Sequence, residues 1–374
     1  MNKPDAAKLK THDQIETFLS ELDVRRYKPG DEFQLNELFN KTFQEARSLE
    51  CWRWKFADTS WLREKVIVVK EIDGKIVGQW ANTVSRFKVG DEICLFTQPV
   101  DNCVDPDYWG KGIITSVYQG AFARYRELNL PVGLGFPNER YYPIIKAAIG
   151  GEDLLGLPVL FCRTNWRLAV QERTKCTFLS NLASSISGFL MRLRLTFKSP
   201  IRKKNIRVEE VEGFDEEFDV LWQSLAPTLA ICGVRDKEYL EWRYLQNPMA
   251  KFHILKCSDE QMMLGYAVLA LEETQEGHRI GYIMDFFCYE SERVMGALLK
   301  SALGFFVRRK TDYVKCAMLE HSPQRKTLER YGFFSRDESK PLVYQEIDPE
   351  FPHFAFMRNQ KNWFLTLGDT DFMG

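Results

Sequence analysis

Two halves of the 374-residue chain carry the same sequence pattern in the same order. A Trp-Arg-Trp motif ending at Trp54 precedes an apolar strand and a hairpin, and a Trp-Arg-Tyr motif beginning at Trp242 precedes a similar pattern. Trp54 and Trp242 are 188 positions apart, and the hairpin glycines Gly78 and Gly265 are 187 positions apart. Because the spacing holds over several elements, we interpret the chain as a duplicated unit.

Each half is predicted to contain a strand, a helix, two hairpin strands, a fourth strand, a helix, a fifth strand and a last helix. Hairpins followed by strand–helix–strand units are typical of a mixed sheet with helices on both faces. We therefore predict an α+β fold, with an α/β mixed sheet in each of two domains. The predicted ranges are 1–165 and 205–348 for the domains, 166–204 for a helical basic linker and 349–374 for a C-terminal tail. The last helix of the first half is predicted over 139–149.

Composition excludes several classes of protein. The chain has 51 basic and 52 acidic residues, without the basic excess that nucleic-acid binding requires. Its nine cysteines form no C-x-x-C pair, and its five histidines form no HExxH motif, so we expect free thiols in a reducing cytoplasm and no metal. The N-terminus has no apolar core of a signal peptide, and no run of eighteen apolar residues predicts a membrane span.

An apolar stripe lies between the two halves. From Phe178 to Phe197 apolar residues recur every three or four positions, which predicts an amphipathic helix, and basic residues follow as far as Lys204. One interpretation is a helix packed across the two domains with its stripe in a core. The other is a peripheral membrane contact through 178–204, with the basic residues at the lipid head groups.

A glycine turn links the fourth predicted strand to the next helix. Glycines allow a backbone to approach a ligand closely, and the first amides of a helix have no acceptor within it. Such a turn binds a pyrophosphate through backbone N–H groups and the helix dipole. The amides predicted to bind belong to Gly110, Lys111, Gly112, Ile113, Ile114 and Thr115.

The turn, Val-x-Pro-x-Tyr-x-Gly-Lys-Gly-Ile, resembles the coenzyme A loop of the GCN5-related N-acetyltransferases (GNAT). Trp109 stands where that family usually has Arg or Gln, and Ile114 replaces a small residue. The segment 135–138, Gly-Phe-Pro-Asn, is similar to one in tandem acetyltransferases, including the enhanced-survival acetyltransferase and relatives from surface-polysaccharide gene clusters. The ending from Trp363 to Asp371 also resembles tails of the polysaccharide group.

This resemblance implies two tandem acyl-CoA N-acyltransferase-like (GNAT) domains. Acetyl-CoA would enter a V-shaped splay between strands four and five, with no metal. Asn102, Cys103 and Val104 would lie beside the acyl carbonyl, and Asn138 beside the pantetheine arm. The equivalent turn of the second half, 289–293, has no glycine and carries two carboxylates, so we expect that half to shape the acceptor site without holding cofactor.

Acyl transfer to an amine needs a base, a polarised carbonyl and an acid for the leaving thiolate. Asp101, at the end of strand four, is the predicted base, acting through a water, although a capping carboxylate is the alternative. Tyr142 is the predicted acid, next to Tyr141 and near Lys146, because the family often has a Tyr in this region; a packed Tyr is the alternative. Cys103 is expected to be a buried thiol, since no His lies near it in sequence to activate it.

The resemblance implies transfer of an acetyl group to a primary amine of a small-molecule acceptor, for example an amino sugar of a surface polysaccharide. One alternative is aminoacyl or longer-acyl transfer by the same fold. Another is a non-catalytic acyl-CoA-binding or scaffold protein. Asp369 and Asp371 either contact a substrate or belong to a frayed tail. The sequence gives no oligomeric state.

Overall fold

The computed structural model describes residues 11–57, 59–139, 141–146, 150–197 and 206–373. The chain divides into two units: unit 1 is Met1–Leu155 with Pro341–Asn362, and unit 2 is Gly156–Lys340 with Trp363–Gly374. Neither unit is continuous in sequence, in contrast with the predicted ranges 1–165 and 205–348. The C-terminal residues predicted as a separate tail are divided between the two units.

The elements up to the first change of unit follow the predicted order. They are α1 (His12–Glu21), β1 (Arg25–Arg26), α2 (Glu32–Phe43), α3 (Leu49–Lys55), β2 (Val66–Ile72), β3 (Lys75–Val89), β4 (Glu92–Val104), α4 (Ile113–Glu127), β5 (Val132–Gly135), α5 (Tyr142–Ile144) and β6 (Glu152–Arg163), which continues into unit 2. Of the helix predicted over 139–149, the structure describes α5 and the two helical residues after it; Arg140 and 147–149 lie outside the described residues. Strand β6 was not predicted.

The remaining elements repeat that order. They are α6 (Arg167–Thr174), α7 (Thr177–Phe197), β7 (Arg207–Val211), α8 (Glu216–Leu225), β8 (Ile231–Gly233), α9 (Lys237–Leu240), a π-helical turn (Glu241–Leu245), β9 (Phe252–Ser258), β10 (Met263–Glu273), β11 (Arg279–Cys288), α10 (Glu292–Arg308), β12 (Tyr313–Ala317), α11 (Pro323–Arg330), β13 (Phe334–Glu346), α12 (Phe354–Met357) and β14 (Trp363–Phe364). The mixed α/β architecture predicted for each half is confirmed.

The sheets of the two units have matching strand orders. Unit 1 has β1-β2-β3-β4-β5-β13, and unit 2 has β7-β9-β10-β11-β12-β6. Each is antiparallel except for one pair, β4–β5 in unit 1 and β11–β12 in unit 2, which is parallel. The sixth strand of each order comes from the other half of the sequence, since 343–346 pair with β5 and 159–163 pair with β12. This exchange of strands explains why the predicted boundaries differ from the observed ones.

The sheet of unit 1 separates two apolar cores, and β2 contributes to both by the alternation of a strand. Val66 and Val68 face the core formed with α1 and α4. Ile67 and Val69 face the core formed with α2 and α3, where Trp52 is buried. Trp52, part of the repeated tryptophan motif, is therefore a core residue.

The C-terminal residues of unit 2 are packed and not frayed. Trp363 is buried and pairs in parallel with Ile231 of β8. The side chain of Asp369 is 3% exposed, and its carboxylate accepts a hydrogen bond from the Arg235 guanidinium at 2.6 Å. The tail thus contributes an ion pair to the core of unit 2.

Helix α7 is amphipathic as predicted, but its apolar stripe faces solvent. Phe178 is 74% exposed and Phe189 is 64% exposed, and five further aliphatic residues of the stripe are exposed: Leu179, Leu182, Ile186, Leu190 and Leu193. The predicted basic stretch 198–204 lies outside the described residues. No helix in the part of the chain that the structure describes is both long and apolar enough to cross a bilayer.

Candidate active site

A cavity of about 270 Å³ opens at the N-terminus of α4 in unit 1. Its wall combines the glycine turn, the end of β4, the end of α2 and the segment after β5. The lining residues are Thr42, Phe43, Val104, Tyr108, Trp109, Gly110, Gly112, Ile113, Ile114 and Tyr141. Five of the predicted turn and strand residues (Val104, Gly110, Gly112, Ile113 and Ile114) therefore meet in one place, together with an aromatic residue that follows β5.

The glycine turn has the backbone geometry expected of an anion site. Gly110 and Gly112 have φ angles of +78° and +73°, in the left-handed region that favours glycine. No atom of the described residues lies within 4 Å of where a Cβ would stand on either glycine, so the space beside both glycines is open. The amide of Ser116 bonds to the carbonyl of Gly112 at 3.2 Å, so the amides before Ser116 have no acceptor within the helix.

A buried carboxylate holds the turn in place. Asp105 accepts hydrogen bonds from Lys41 Nζ at 2.6 Å, from Lys75 Nζ at 2.8 Å and from the amide of Asp107 at 3.1 Å. Burial opposes ionisation of Asp105, but these hydrogen bonds outweigh it and hold the pKa of that carboxyl well below its ordinary value. Two lysines thus neutralise the Asp105 carboxylate, which offsets a charge that would repel an anion.

Trp109 and Ile114, the two departures from the coenzyme A loop pattern, line the cavity without filling it. Trp109 is 54% exposed, and its indole Nε1–H donates to the carbonyl of Val104 at 2.8 Å. This hydrogen bond occupies the carbonyl of the last residue of β4. Behind the turn, Gly78 allows close packing, since a Cβ there would meet Cγ2 of Ile113 at 2.5 Å. The repeated hairpin glycine therefore lets α4 begin against the sheet.

Strands β4 and β5 separate beside the cavity. Their parallel register covers two residue pairs, Phe96 with Val132 and Thr97 with Gly133, although β4 continues to Val104. The backbone of β4 beyond Thr97 therefore diverges from β5, and this is the splay that the resemblance implies.

A bulge interrupts β4 within the splay. The register of β3 with β4 shifts between the pair Gln79–Cys103 and the pair Ala81–Val100, and Asp101 has a φ of +55°. The side chain of Asn102 accepts a hydrogen bond from the amide of Ala81 at 2.8 Å, which replaces a lost ladder bond. The bulge leaves the carbonyl of Asn102 directed toward the segment after β5.

Tyr141, and not the predicted Tyr142, reaches the cavity. The Tyr141 hydroxyl donates to the carbonyl of Asn102, and its ring lines the cavity wall. The Tyr142 hydroxyl instead donates to Asp153 at 2.8 Å, and this hydrogen bond raises the pKa of Tyr142. The side chain of Asn138 accepts from the amide of Tyr141 at 3.0 Å, so Asn138 orients the chain that carries Tyr141.

Asp101 lies in an environment that differs from that of a general base. Its buried carboxylate forms an ion pair with Arg47 and accepts from Lys55 Nζ at 2.9 Å. Burial favours the neutral form, but the charges of Lys55 and Arg47 outweigh it and lower the pKa of Asp101. A carboxylate held by two cations is a weak proton acceptor, so the structure favours a positioning role beside the bulge.

Cys103 is buried next to Asp101, as expected for a packed thiol. Burial, together with the nearby charge of Asp101, raises the pKa of the Cys103 thiol far above its ordinary value. Because the thiolate is the nucleophile, this environment argues against a covalent acyl-enzyme.

A group of polar side chains that sequence reasoning missed surrounds Asp101. Arg47 also donates from Nε to Asn36 at 2.9 Å, and Gln79 donates to the carbonyl of Asp101 at 2.6 Å. Three buried polar atoms of this region have no hydrogen-bond partner among the described residues: Arg47 Nη2, Gln79 Oε1 and Thr42 Oγ1. Buried polar atoms of this kind mark a place for a water or a polar ligand group.

The repeat contained a signal for this arrangement. Arg47 and Arg235 are 188 positions apart, the same spacing as the repeated tryptophans. Arg235 pairs with Asp285 of β11 at 3.2 Å, in a strand that is bulged like β4. The hairpin glycine Gly78 pairs with Val104, and Gly265 pairs with Cys288. Asp101 and Asp285 each lie three residues before that pairing partner. A buried Arg–Asp ion pair is therefore duplicated in the two units.

The turn before α10, the helix of unit 2 that corresponds to α4, differs from the glycine turn of unit 1. Helix α10 begins at Glu292 after Ser291, without a glycine turn, and Glu292 pairs with Arg330 at 2.7 Å. Among the described residues no three His, Cys, Asp or Glu side chains are grouped as metal ligands.

Comparison with known proteins agrees with this geometry. Residues 23–146 match the model of a family described as an acetyltransferase (GNAT) domain. The fold is similar to a GCN5-related N-acetyltransferase from Anabaena variabilis ATCC 29413, with a TM-score of 0.62 and 15% identity over 87% of this chain and 72% of that one. It is similar to Eis1 from Mycobacterium abscessus, with a TM-score of 0.55 and 13% identity over 87% and 73%. No curated protein sequence matches the chain.

The fold is also similar to the N-myristoyltransferase of Saccharomyces cerevisiae, solved with bound myristoyl-CoA, with a TM-score of 0.55 and 10% identity over 86% of this chain and 82% of that one. The chain thus has the fold of these acyltransferases. More particularly, residues 23–146 form an acetyltransferase (GNAT) domain, which supports an enzyme of the N-acetyltransferase class.

Proposed function

We propose that the protein transfers an acetyl group from acetyl-CoA to a primary amine, with the site in unit 1. The observation that carries the proposal is the open, left-handed Gly110–Gly112 turn at the N-terminus of α4, next to a cavity of about 270 Å³ and the splay of β4 and β5. A helix N-terminus with free amides favours a diphosphate, and a splayed strand leaves backbone groups for an extended arm.

The residues present fit acetyl-CoA. The amides from Gly110 to Thr115 would hold its diphosphate, and the wall formed by Val104 and Tyr141 would receive the pantetheine arm. When bound, acetyl-CoA supplies a thioester carbonyl and a thiolate leaving group. We assign to the Tyr141 hydroxyl the donation of a proton or hydrogen bond to that thiolate. Asp101 is assigned the positioning of the β4 bulge through Arg47.

For the acceptor, we propose a small-molecule amine, with an amino sugar of a surface polysaccharide as the particular class. The Gly-Phe-Pro-Asn segment ending at Asn138 supports this class through its resemblance to polysaccharide-associated acetyltransferases. We propose the cytoplasm as the location, because all nine cysteines are free thiols.

A longer acyl group is the second candidate. Most of the cavity wall is apolar or aromatic, with Phe43, Trp109 and Ile114 among its residues. Such a wall stabilises an aliphatic chain by burying it. The fold of an N-myristoyltransferase solved with myristoyl-CoA is compatible with this alternative.

Binding and turnover test the proposal separately. Calorimetric titration with acetyl-CoA should show binding, and thiol detection should show coenzyme A release with a panel of amines and amino sugars. Binding without release across the panel would support an acyl-CoA-binding scaffold instead, and faster release from octanoyl-CoA or myristoyl-CoA would support the longer-acyl alternative. Absence of binding to any of these thioesters would overturn the site.

The glycine turn offers a matched pair of variants. Gly112→Ala and Gly90→Ala each add a methyl group at a left-handed residue, with φ angles of +73° and +61°, and neither Cβ would meet a described atom within 4 Å. Both should cost about 1 kcal/mol of stability. Gly112→Ala alone should weaken acetyl-CoA binding, because Gly90 lies in the hairpin between β3 and β4, outside the cavity lining. Equal affinities for the two variants would contradict the assigned cradle.

A further inference from the structure

Helix α7 in unit 2 has an unusual distribution of residues. The side that faces the protein carries small residues, with Ser180 and Ser187 buried, and Met191 is the large residue buried with them. The opposite side exposes seven large apolar residues, from Phe178 to Leu193. An ordinary surface helix buries its apolar stripe, so this helix has the reverse orientation.

Hydrogen bonds fix this orientation. Ser184 Oγ accepts from the Asn165 side chain at 3.0 Å, and Ser187 Oγ accepts from the amide of Trp166 at 3.2 Å. Ser187 also donates to Asn165 at 3.3 Å. Rotation of α7 to bury its stripe would break these bonds and would bring leucine and phenylalanine where serines now pack. The apolar stripe is therefore a stable feature of the surface.

The stripe forms a continuous apolar surface, which we call the α7 face. It consists of Phe178, Leu179, Leu182, Ile186, Phe189, Leu190 and Leu193, all exposed. Trp166, 45% exposed, precedes α6 and lies close to α7 through its bonded amide. Monomeric soluble proteins rarely expose contiguous apolar patches of this kind without an interaction partner.

Charge identifies the partner. Between residues 166 and 204 the sequence has nine Lys or Arg and one Glu, whereas the whole chain has a net charge of −1. Arg173 and Lys175, just before α7, are exposed, and six further basic residues occur in the sequence from Arg192 to Lys204. An apolar helix face flanked in sequence by cations matches the acyl chains and anionic head groups of a lipid surface. A second copy of the chain would bring two strongly basic segments together, which repulsion disfavours.

We propose that α7 lies in the interface of an anionic lipid bilayer, with the α7 face among the acyl chains and the exposed Arg173 and Lys175 at the head groups. The helix does not cross the membrane; it attaches the enzyme to the surface. This inference does not depend on the proposed acyl transfer, because it concerns unit 2 and needs neither acetyl-CoA nor an amine.

Vesicle sedimentation with the full chain tests the proposal. We expect the protein to sediment with vesicles of phosphatidylcholine mixed with phosphatidylglycerol, more weakly with phosphatidylcholine alone, and less as salt increases. The combined variant Leu182→Ser, Ile186→Ser, Phe189→Ser should bind the mixed vesicles about a hundredfold more weakly, which corresponds to partial burial of three large side chains.

A matched control changes exposed apolar residues of the same unit away from α7. The variant Val220→Ser, Met249→Ser, Met262→Ser removes a comparable apolar surface and should bind vesicles like the wild type. Circular dichroism and coenzyme A release should be alike for both variants, since all six side chains are exposed. Failure of the wild type to sediment with mixed vesicles overturns the proposal. The proposal is also overturned if the wild type does not bind vesicles and light scattering shows an oligomer that becomes a monomer in the α7 variant.

Discussion

The ion pair at the β4 bulge gives a quantitative prediction for Asp101→Asn. Asp101 is the partner of two buried cations: Arg47, whose side chain is 3% exposed, and Lys55, whose side chain is 10% exposed. Removing one partner of a buried ion pair costs about 3–5 kcal/mol, because the remaining charge is left in a poorly solvated site. An asparagine oxygen can still accept a hydrogen bond from Arg47, so we expect the lower end, about 3 kcal/mol. For a unit of this size that lowers the melting temperature by about 6–12 °C.

The pH dependence has a definite sign. The pKa of Asp101 is lower in the folded protein than in the unfolded chain. Its contribution is therefore fully present above the unfolded value of about 3.9 and is lost as the pH falls through the folded value. Calorimetric melting of wild type and Asp101→Asn should give a constant difference from about pH 5 to pH 8, which shrinks below about pH 4.

The duplicated pair in unit 2 supplies the control. In Asp285→Asn the guanidinium of Arg235 keeps Asp369 as a partner at 2.6 Å, so no buried cation is left unpaired. Its loss of stability should be less than half of that for Asp101→Asn. The reasoning is refuted if Asp101→Asn melts like the wild type but loses acetyl transfer with an altered pH–rate profile, because Asp101 would then act on the substrate.

Three further substitutions test the site. Tyr141→Phe should lower kcat about a hundredfold or more, and Tyr142→Phe should stay near the wild type, because of the two only Tyr141 lines the cavity. If coenzyme A release assays instead show the larger loss for Tyr142→Phe, Tyr142 is the acid. Cys103→Ala should retain acetyl transfer, since burial keeps that thiol protonated; an inactive but folded variant, with an acyl adduct on the wild type by mass spectrometry, would show covalent catalysis. Gly78→Ala should lower both the melting temperature and acetyl-CoA affinity, because its Cβ would meet Ile113 at 2.5 Å and displace the start of α4. Unchanged affinity would contradict the idea that the packing of α4 against Gly78 positions the turn for binding.

Local patterns in the sequence determined much of this protein. The repeat, the order of strands and helices, and helix α2 at Glu32–Phe43 all follow from periodicity and turn residues. The glycine turn was predictable for the same reason: left-handed φ angles at Gly110 and Gly112 require residues without a side chain. These features depend on near neighbours in the chain, which a sequence displays directly.

Tertiary structure alone decided which residues meet. Tyr141 and Tyr142 are adjacent in sequence, but their hydroxyls have different partners. The folded conformation of the segment after β5 directs the Tyr141 hydroxyl to Asn102 and the Tyr142 hydroxyl to Asp153. The sequence around Asp101 gives no sign of its ion-pair partners. Arg47 and Lys55, which lie 54 and 46 residues away in sequence, contact Asp101 only in the folded structure. The exchange of β6 and β13 between the units, and the outward orientation of the α7 face, likewise depend on long-range pairing and burial. Such contacts arise from the free energy of packing distant segments together, and residue spacing along the chain does not contain that information.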